Sequence, residues 1–283
     1  MDLGPLGVWW SGTWRSAGDP DADVAAELER AGYGALWSSG GFEPGLAPRF
    51  ARLLASTTTA VVASGIASIW ATPADELARA AAELEAAAPG RFLLGIGASH
   101  ELIVEGYRRP YAHMVAYLDA LDAADPPVPA DRRILAALGP KMLALAGERS
   151  AGAHPYFVPV EHTARARDIL GHGPLLAPEV TVVLEEEAGR ARQLARTFTT
   201  GYLALPNYAQ NLRSLGFSEE DLAGGGSDRL VDAVVAWGSL ERVAARVRDH
   251  HEAGADHVCI QVVTDAEGFP LESYRRLAEA LAS

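Results

Sequence analysis

Short apolar runs recur along this chain, each preceded by an Ala/Glu/Arg-rich stretch and a glycine. The clearest are Ala31-Gly32-Tyr33-Gly34-Ala35-Leu36-Trp37, Pro89-Gly90-Arg91-Phe92-Leu93-Leu94-Gly95, Ala151-Gly152-Ala153-His154-Pro155-Tyr156-Phe157-Val158 and Ala253-Gly254-Ala255-Asp256-His257-Val258-Cys259-Ile260. In each, a helical stretch ends, the glycine permits a left-handed exit and a strand follows at once. Repeated joints of this kind predict βα units and a parallel sheet. Strands are expected at 5–10, 33–38, 60–66, 92–97, 133–138, 154–159, 179–184 and 257–263, each followed by helix. Asp19-Pro20, Thr72-Pro73 and Gly139-Pro140 place proline at first helical positions, with Pro270 similar. Thr72-Pro73-Ala74-Asp75 also approximates a capping box. Eight strands with following helices close into an α/β fold of the (β/α)8 TIM-barrel type, a single domain over 1–283. A doubly wound open sheet is the rival. A helical stretch is expected around 228–252. The segment 200–227, with Pro206, Asn207 and Gly224-Gly225-Gly226, breaks the rhythm and reads as an excursion after the seventh strand. Such a segment serves as a lid, an interface arm or a passive insertion.

Composition narrows the setting. The chain has 283 residues, 49% apolar and 22% charged, ample for one core, and no low-complexity linker divides it. Its net charge of −13 repels phosphate backbones and anionic membranes, so a small-molecule partner is expected rather than nucleic acid or lipid. One cysteine, Cys259, excludes an intrachain disulfide and any cluster or zinc site built from several cysteines. Met1-Asp2-Leu3-Gly4-Pro5 has no basic leader pattern, and the apolar run Ala60 to Ala71 is too short to span a bilayer. A reduced, cytoplasmic protein is the expectation.

In a parallel barrel, the loops after the strands build the site. That rule sorts the eight histidines. His154 and His257 open strands, His172, His250 and His251 lie near helix ends, and His113 lies inside a helix. Only His100 and His162 follow strand ends. Gly95-Ile96-Gly97-Ala98-Ser99-His100 fails as a dinucleotide fingerprint, because histidine replaces the third glycine. It fails as a nucleophile elbow as well: the closing glycine is missing, and Ser99 and His100 are chain neighbours. What remains is a strand end where backbone can approach a flat ligand, or a simple tight turn. Leu138-Gly139-Pro140-Lys141 opens a helix whose N-terminal N–H groups suit a phosphate. Trp9, Trp10, Trp37 and Trp70 cluster at the ends of the first three strands, and alternation sends one of Trp9 and Trp10 inside the barrel. They either pack the core or wall a planar ring. No His-x-His or His-Glu-x-x-His pattern marks a metal, and Glu185-Glu186-Glu187 suits a helix start.

Together these pieces resemble the bacterial-luciferase-like superfamily, in particular its branch using the deazaflavin coenzyme F420. The resemblance runs through Gly7-Val8-Trp9-Trp10, Gly34-Ala35-Leu36-Trp37, Ala63-Ser64-Gly65-Ile66 and Arg91-Phe92-Leu93-Leu94-Gly95-Ile96-Gly97. It continues with Ala136-Ala137-Leu138-Gly139-Pro140-Lys141-Met142 and Gly152-Ala153-His154-Pro155-Tyr156. It implies a homodimeric barrel with a flavin-type ring in its mouth and a non-prolyl cis peptide carried by Ser64, Gly65 and Ile66. Under it, Trp9, Trp37 and His162 join the coenzyme site, Gly97 and Ala98 approach the ring or its side chain, and Ala137, Leu138, Gly139, Pro140, Lys141 and Met142 form the phosphate turn.

The chain departs from relatives that oxidise a sugar phosphate. They carry histidine after the second strand and glutamate after the fourth, where this chain has Ser38-Ser39-Gly40-Gly41-Phe42 and His100, with Glu101 adjacent. That leaves His100 as the natural proton donor or acceptor. The leading expectation is an oxidoreductase exchanging hydride between F420 and a small organic substrate. The rivals are an FMN-dependent monooxygenase of the same fold and a non-catalytic flavin- or deazaflavin-binding protein.

Overall fold

The computed structural model describes residues 1–10, 22–39 and 46–282, so the expected helix start at Asp19-Pro20 lies outside the described residues. The chain begins β1 (Leu6–Trp10), α1 (Ala22–Arg30), β2 (Ala35–Ser38), α2 (Leu46–Ser56), β3 (Val61–Ser64), β4 (Ala67–Ser68), α3 (Ala74–Ala87). It continues β5 (Phe92–Gly97), α4 (Pro110–Asp122), β6 (Arg133–Leu135), α5 (Pro140–Arg149), β7 (Gly152–Ala153), α6 (Val160–Leu170). Then come β8 (Leu175–Leu176), β9 (Glu179–Val183), α7 (Ala188–Leu203), α8 (Pro206–Ser214), α9 (Glu219–Leu222) and α10 (Asp228–Val234). Last are β10 (Val235–Trp237), α11 (Leu240–Glu252), β11 (Val258–Val262) and α12 (Leu271–Ala282).

Hydrogen-bonded neighbours run β10-β9-β11-β1-β2-β3-β5-β6-β7-β8, with β4 beside β5. The path closes on itself, because β8 and β9 are the lower and upper parts of one extended segment, 175–183. Ala177 N–H and Glu179 N–H donate to Ala153 and Pro155 on one edge, and Asp256 and Cys259 N–H donate to Leu176 and Pro178 on the other. The eight expected strands therefore form a closed parallel barrel, not an open sheet.

Three local expectations need correction. The sixth strand starts earlier than 154, at Gly152, and turns away after Pro155, since Pro155 and Pro159 have no N–H for a ladder. The stretch 228–252 is not one helix: β-branched Val234-Val235 and the positive φ of Gly238 insert β10 beside β9. At α3 the N-cap is Pro73 rather than Thr72, with no side-chain bond, so the capping box does not form.

Alternation along each strand divides the core in two. Val8, Trp10, Leu36, Val62, Leu94, Ile96, Val180 and Ile260 face the helices. Trp9, Trp37, Ala63, Leu93, Ile134, Val183 and Cys259 fill the barrel and meet the excursion's apolar face. Trp10 stacks on Phe269 at 4.1 Å while Trp9 points inward, the split that alternation predicts. No helix among the described residues is long and apolar enough to cross a membrane.

Candidate active site

At the C-terminal ends of β3 and β5 buried glycines let neighbouring groups pack directly on the backbone. The Gly65–Ile66 peptide is cis, at the place the resemblance implies. A Cβ on Gly65 would lie 2.0 Å from the Trp9 ring, so only glycine lets that turn and the indole meet. Half-buried Ile66 lies over Gly97, where a Cβ would meet Ile66 Cδ1 at 2.4 Å. Ser64 laces the strands rather than facing outward: its Oγ donates to Gly95 O and accepts from Gly95 N–H.

Beyond Gly97 the chain turns through Ala98, whose carbonyl accepts from the Trp70 indole at 2.7 Å, and Ser99, held at φ 57°. The turn delivers His100, half-buried, to the mouth. Its Nδ1–H donates to Asn207 Oδ1 at 2.8 Å, and its ring is 5.2 Å from that of Tyr208. Burial lowers its proton affinity and the Asn207 bond partly restores it, leaving the imidazole below its usual 6.5. Neighbouring Glu101 is exposed.

Asn207 and Tyr208 come from the excursion. α7 and α8 carry Phe198, Tyr202 and Tyr208 over the mouth, where they pack on Tyr156 and Phe157. Tyr156 donates to Gln261 Oε1 at 2.7 Å, so the bond between the two phenols runs from Tyr202 to Tyr156. Tyr156 also leans on Trp9 at 5.0 Å. Next to this cluster Glu179 is fully buried, accepting from Thr181 Oγ1 and Phe157 N–H, and burial pushes its carboxyl up to about 8. Of these residues only Trp9 is expected at the site from the sequence. Alternation flags Glu179, an acidic residue at an inward strand position. No local signal pairs 100 with 207, because that contact is made by tertiary packing alone.

The remaining expected residues divide by depth. Trp37 is fully buried, its Nε1–H donating to His257 Nε2 and its face stacked on His154 at 4.3 Å. It therefore packs the barrel interior, beneath the mouth, rather than walling it. Burial holds His154 and His257 at about 4, so both are neutral core groups. In the turn after β6, Ala137 points into the helix-side core, while Leu138 and Met142 are half-buried and Gly139, Pro140 and Lys141 are exposed. Among the described residues nothing lies within 4 Å of a Cβ built on Gly139, and α5 starts there without a side-chain cap. His162 is buried behind the turn, its Nε2–H donating to Leu138 O at 3.0 Å. It holds the turn's backbone from within instead of facing its open side. Gly40-Gly41-Phe42 lie outside the described residues, as do any contacts they make. Among the described residues no group of three His, Cys, Asp or Glu could hold a metal.

Comparison with known proteins places this geometry in context. The family profile described as luciferase-like monooxygenase matches residues 16–125 and 113–257. No curated protein matches the sequence. Among solved structures, an F420-dependent secondary alcohol dehydrogenase in complex with an F420–acetone adduct aligns with a TM-score of 0.75 at 15% identity, over 99% of each chain. A coenzyme F420-dependent tetrahydromethanopterin reductase from Methanopyrus kandleri gives 0.69 at 12% identity, over 99% of each chain. The oxygenating constituent of 3,6-diketocamphane monooxygenase from Pseudomonas putida, in complex with FMN, gives 0.70 at 16% identity, over 99% of this chain and 98% of that one.

Proposed function

The chain belongs to the luciferase-like monooxygenase family, and from that premise we propose that it is an F420-dependent oxidoreductase in which His100 moves the proton. The observation that carries this reading is His100 itself: a half-buried imidazole at the end of β5, below its usual 6.5, beside a strand end of glycines. When bound, the deazaflavin supplies or accepts the hydride. The chain's own residues fit such a group. Half-buried Ile66, packed over Gly97, and half-buried Ala98 would offer the ring a wall at the mouth, and Trp9, packed on Gly65, would back it. The open, uncapped start of α5 at Gly139 suits a phosphate, with Lys141 as a nearby cation. The aromatic roof of Tyr156, Tyr202 and Tyr208 excludes water, favouring a substrate with apolar surface.

With Nδ1–H committed to Asn207, Nε2 of a neutral His100 is a proton acceptor. That is the role required when a hydroxyl is oxidised to a carbonyl: the oxygen's proton passes to Nε2 as hydride leaves the carbon. The reverse direction requires the imidazolium, which burial disfavours. The working form in this proposal is a homodimer, which light scattering of the purified protein tests.

Titration of the protein with F420 and, separately, with FMN tests the assignment. Tight binding of F420, weak binding of FMN and coenzyme reduction by secondary alcohols are expected. Tighter FMN binding with oxygen consumption would move the protein to the monooxygenases. Coenzyme binding without turnover across alcohols, enones and imines would make it a binding protein.

A further inference from the structure

Two consecutive residues of α8 meet the same imidazole: the Tyr208 ring lies 5.2 Å from it, tilted by 43°, and Asn207 accepts its Nδ1–H. The partners are 107 residues apart in sequence. Pro206 opens α8, and Tyr208, Ala209, Asn211 and Leu212 bury its inner face, so Asn207 is held at a fixed place over the mouth. We propose that Asn207 is the positioning residue of His100, fixing the tautomer that leaves Nε2 unprotonated and making the excursion a working part of the site. The proposal rests on His100 being the proton-transfer group.

An amide is suited to this task. Its oxygen orients the ring by accepting one hydrogen bond, yet it carries no charge to favour the imidazolium, as a carboxylate would. Burial and the Asn207 bond are the influences that set the proton affinity of His100. Tyr208 stays un-ionised against it, because burial pushes its hydroxyl well above 10, and Glu101, next along the chain, is exposed. A bond that merely tethered the excursion would serve equally well with either ring nitrogen and either charge state.

The test reads the imidazole directly, by 15N NMR of histidine-labelled protein without coenzyme, in the parent chain, Asn207→Ala and Asn207→Asp. The parent is expected to show the Nδ1–H tautomer and a His100 titration midpoint below 6.5. In Asn207→Asp the tautomer persists and the midpoint rises, carrying the acidic limb of kcat upward with it. In Asn207→Ala the tautomer preference is lost and kcat falls about 10- to 100-fold with KM little changed. Identical His100 signals in the parent and both variants, or an Nε2–H tautomer in the parent, would overturn the positioning role. If Asn207→Ala does not fold, Asn207→Asp and Asn207→Gln carry the same comparison. The spectra are independent of turnover, so full activity in His100→Ala would instead defeat the proposed function.

Discussion

His100 and Trp37 show how differently two expected site residues fare once folded. His100 reaches the mouth with Nδ1 engaged by Asn207 and Nε2 without a partner among the described residues. If it moves a proton in the rate-limiting step, His100→Ala lowers kcat roughly 10²–10⁴-fold and abolishes one limb of the pH–rate profile. Coenzyme affinity, measured by fluorescence titration, should change little. Trp37 has its ring face on His154 and its N–H on His257, so its loss is a core truncation. Trp37→Ala is expected to cost about 3–5 kcal/mol in urea denaturation, with any loss of activity following loss of fold. A near-neutral stability change with impaired coenzyme binding would return it to the mouth. Their sequence grounds differ: His100 follows a strand, whereas Trp37 lies within one, near its end. Inward pointing and depth separate them, and depth is set by how far neighbouring strands rise around the barrel.

At the scale of elements, α5 and α8 approach the site from opposite constraints. The start of α5 is legible in Leu138-Gly139-Pro140-Lys141, because proline at N1 and glycine before it are local signals. The space beside Gly139 is open, so Gly139→Val should fold, with a modest cost from a poorer N-cap. Its side chain would crowd an approaching phosphate and weaken coenzyme binding, measurable in the same titration. Unchanged affinity would mean that the turn is structural and the anion binds elsewhere. The excursion read from sequence as a break in rhythm is, in the fold, a set of helices whose aromatic face roofs the mouth. Its proline and its glycines announce an interruption but say nothing of where the interruption docks. β10 escapes the sequence reading for a related reason: three residues between two helices are too few for periodicity to register.

Over the whole molecule, buried titratable groups set a pH window for stability. Burial lowers His154 and His257 to about 4 and His250 to about 3, against 6.5 when unfolded. The unfolded chain therefore binds protons first, and the stability these groups hold above 6.5 is lost as pH falls toward 4 and below. Glu179 acts in the other direction. With its carboxyl raised from 4.5 to about 8, the folded state keeps a proton that the unfolded state releases. Its contribution is complete below 4.5 and gone once pH rises through 8. Tm measured from pH 4 to 9 should fall at the acid end in the parent and in Glu179→Gln alike. Between 4.5 and 8, the Gln variant should decline less with rising pH than the parent; parallel profiles would show Glu179 ionised in the fold. The cis turn at Gly65–Ile66 was expected only through the family resemblance, whereas the sequence by itself determined the barrel, its eight strands and His100 at a strand end. These follow from period-two alternation, glycine exits and prolines, which act within a few residues. Tertiary structure alone decided that 175–183 closes the ring, that Trp37 lies beneath the mouth, and that Asn207 meets His100. Each depends on shear around the barrel or on docking of a distant helix, and neither leaves a mark in local sequence.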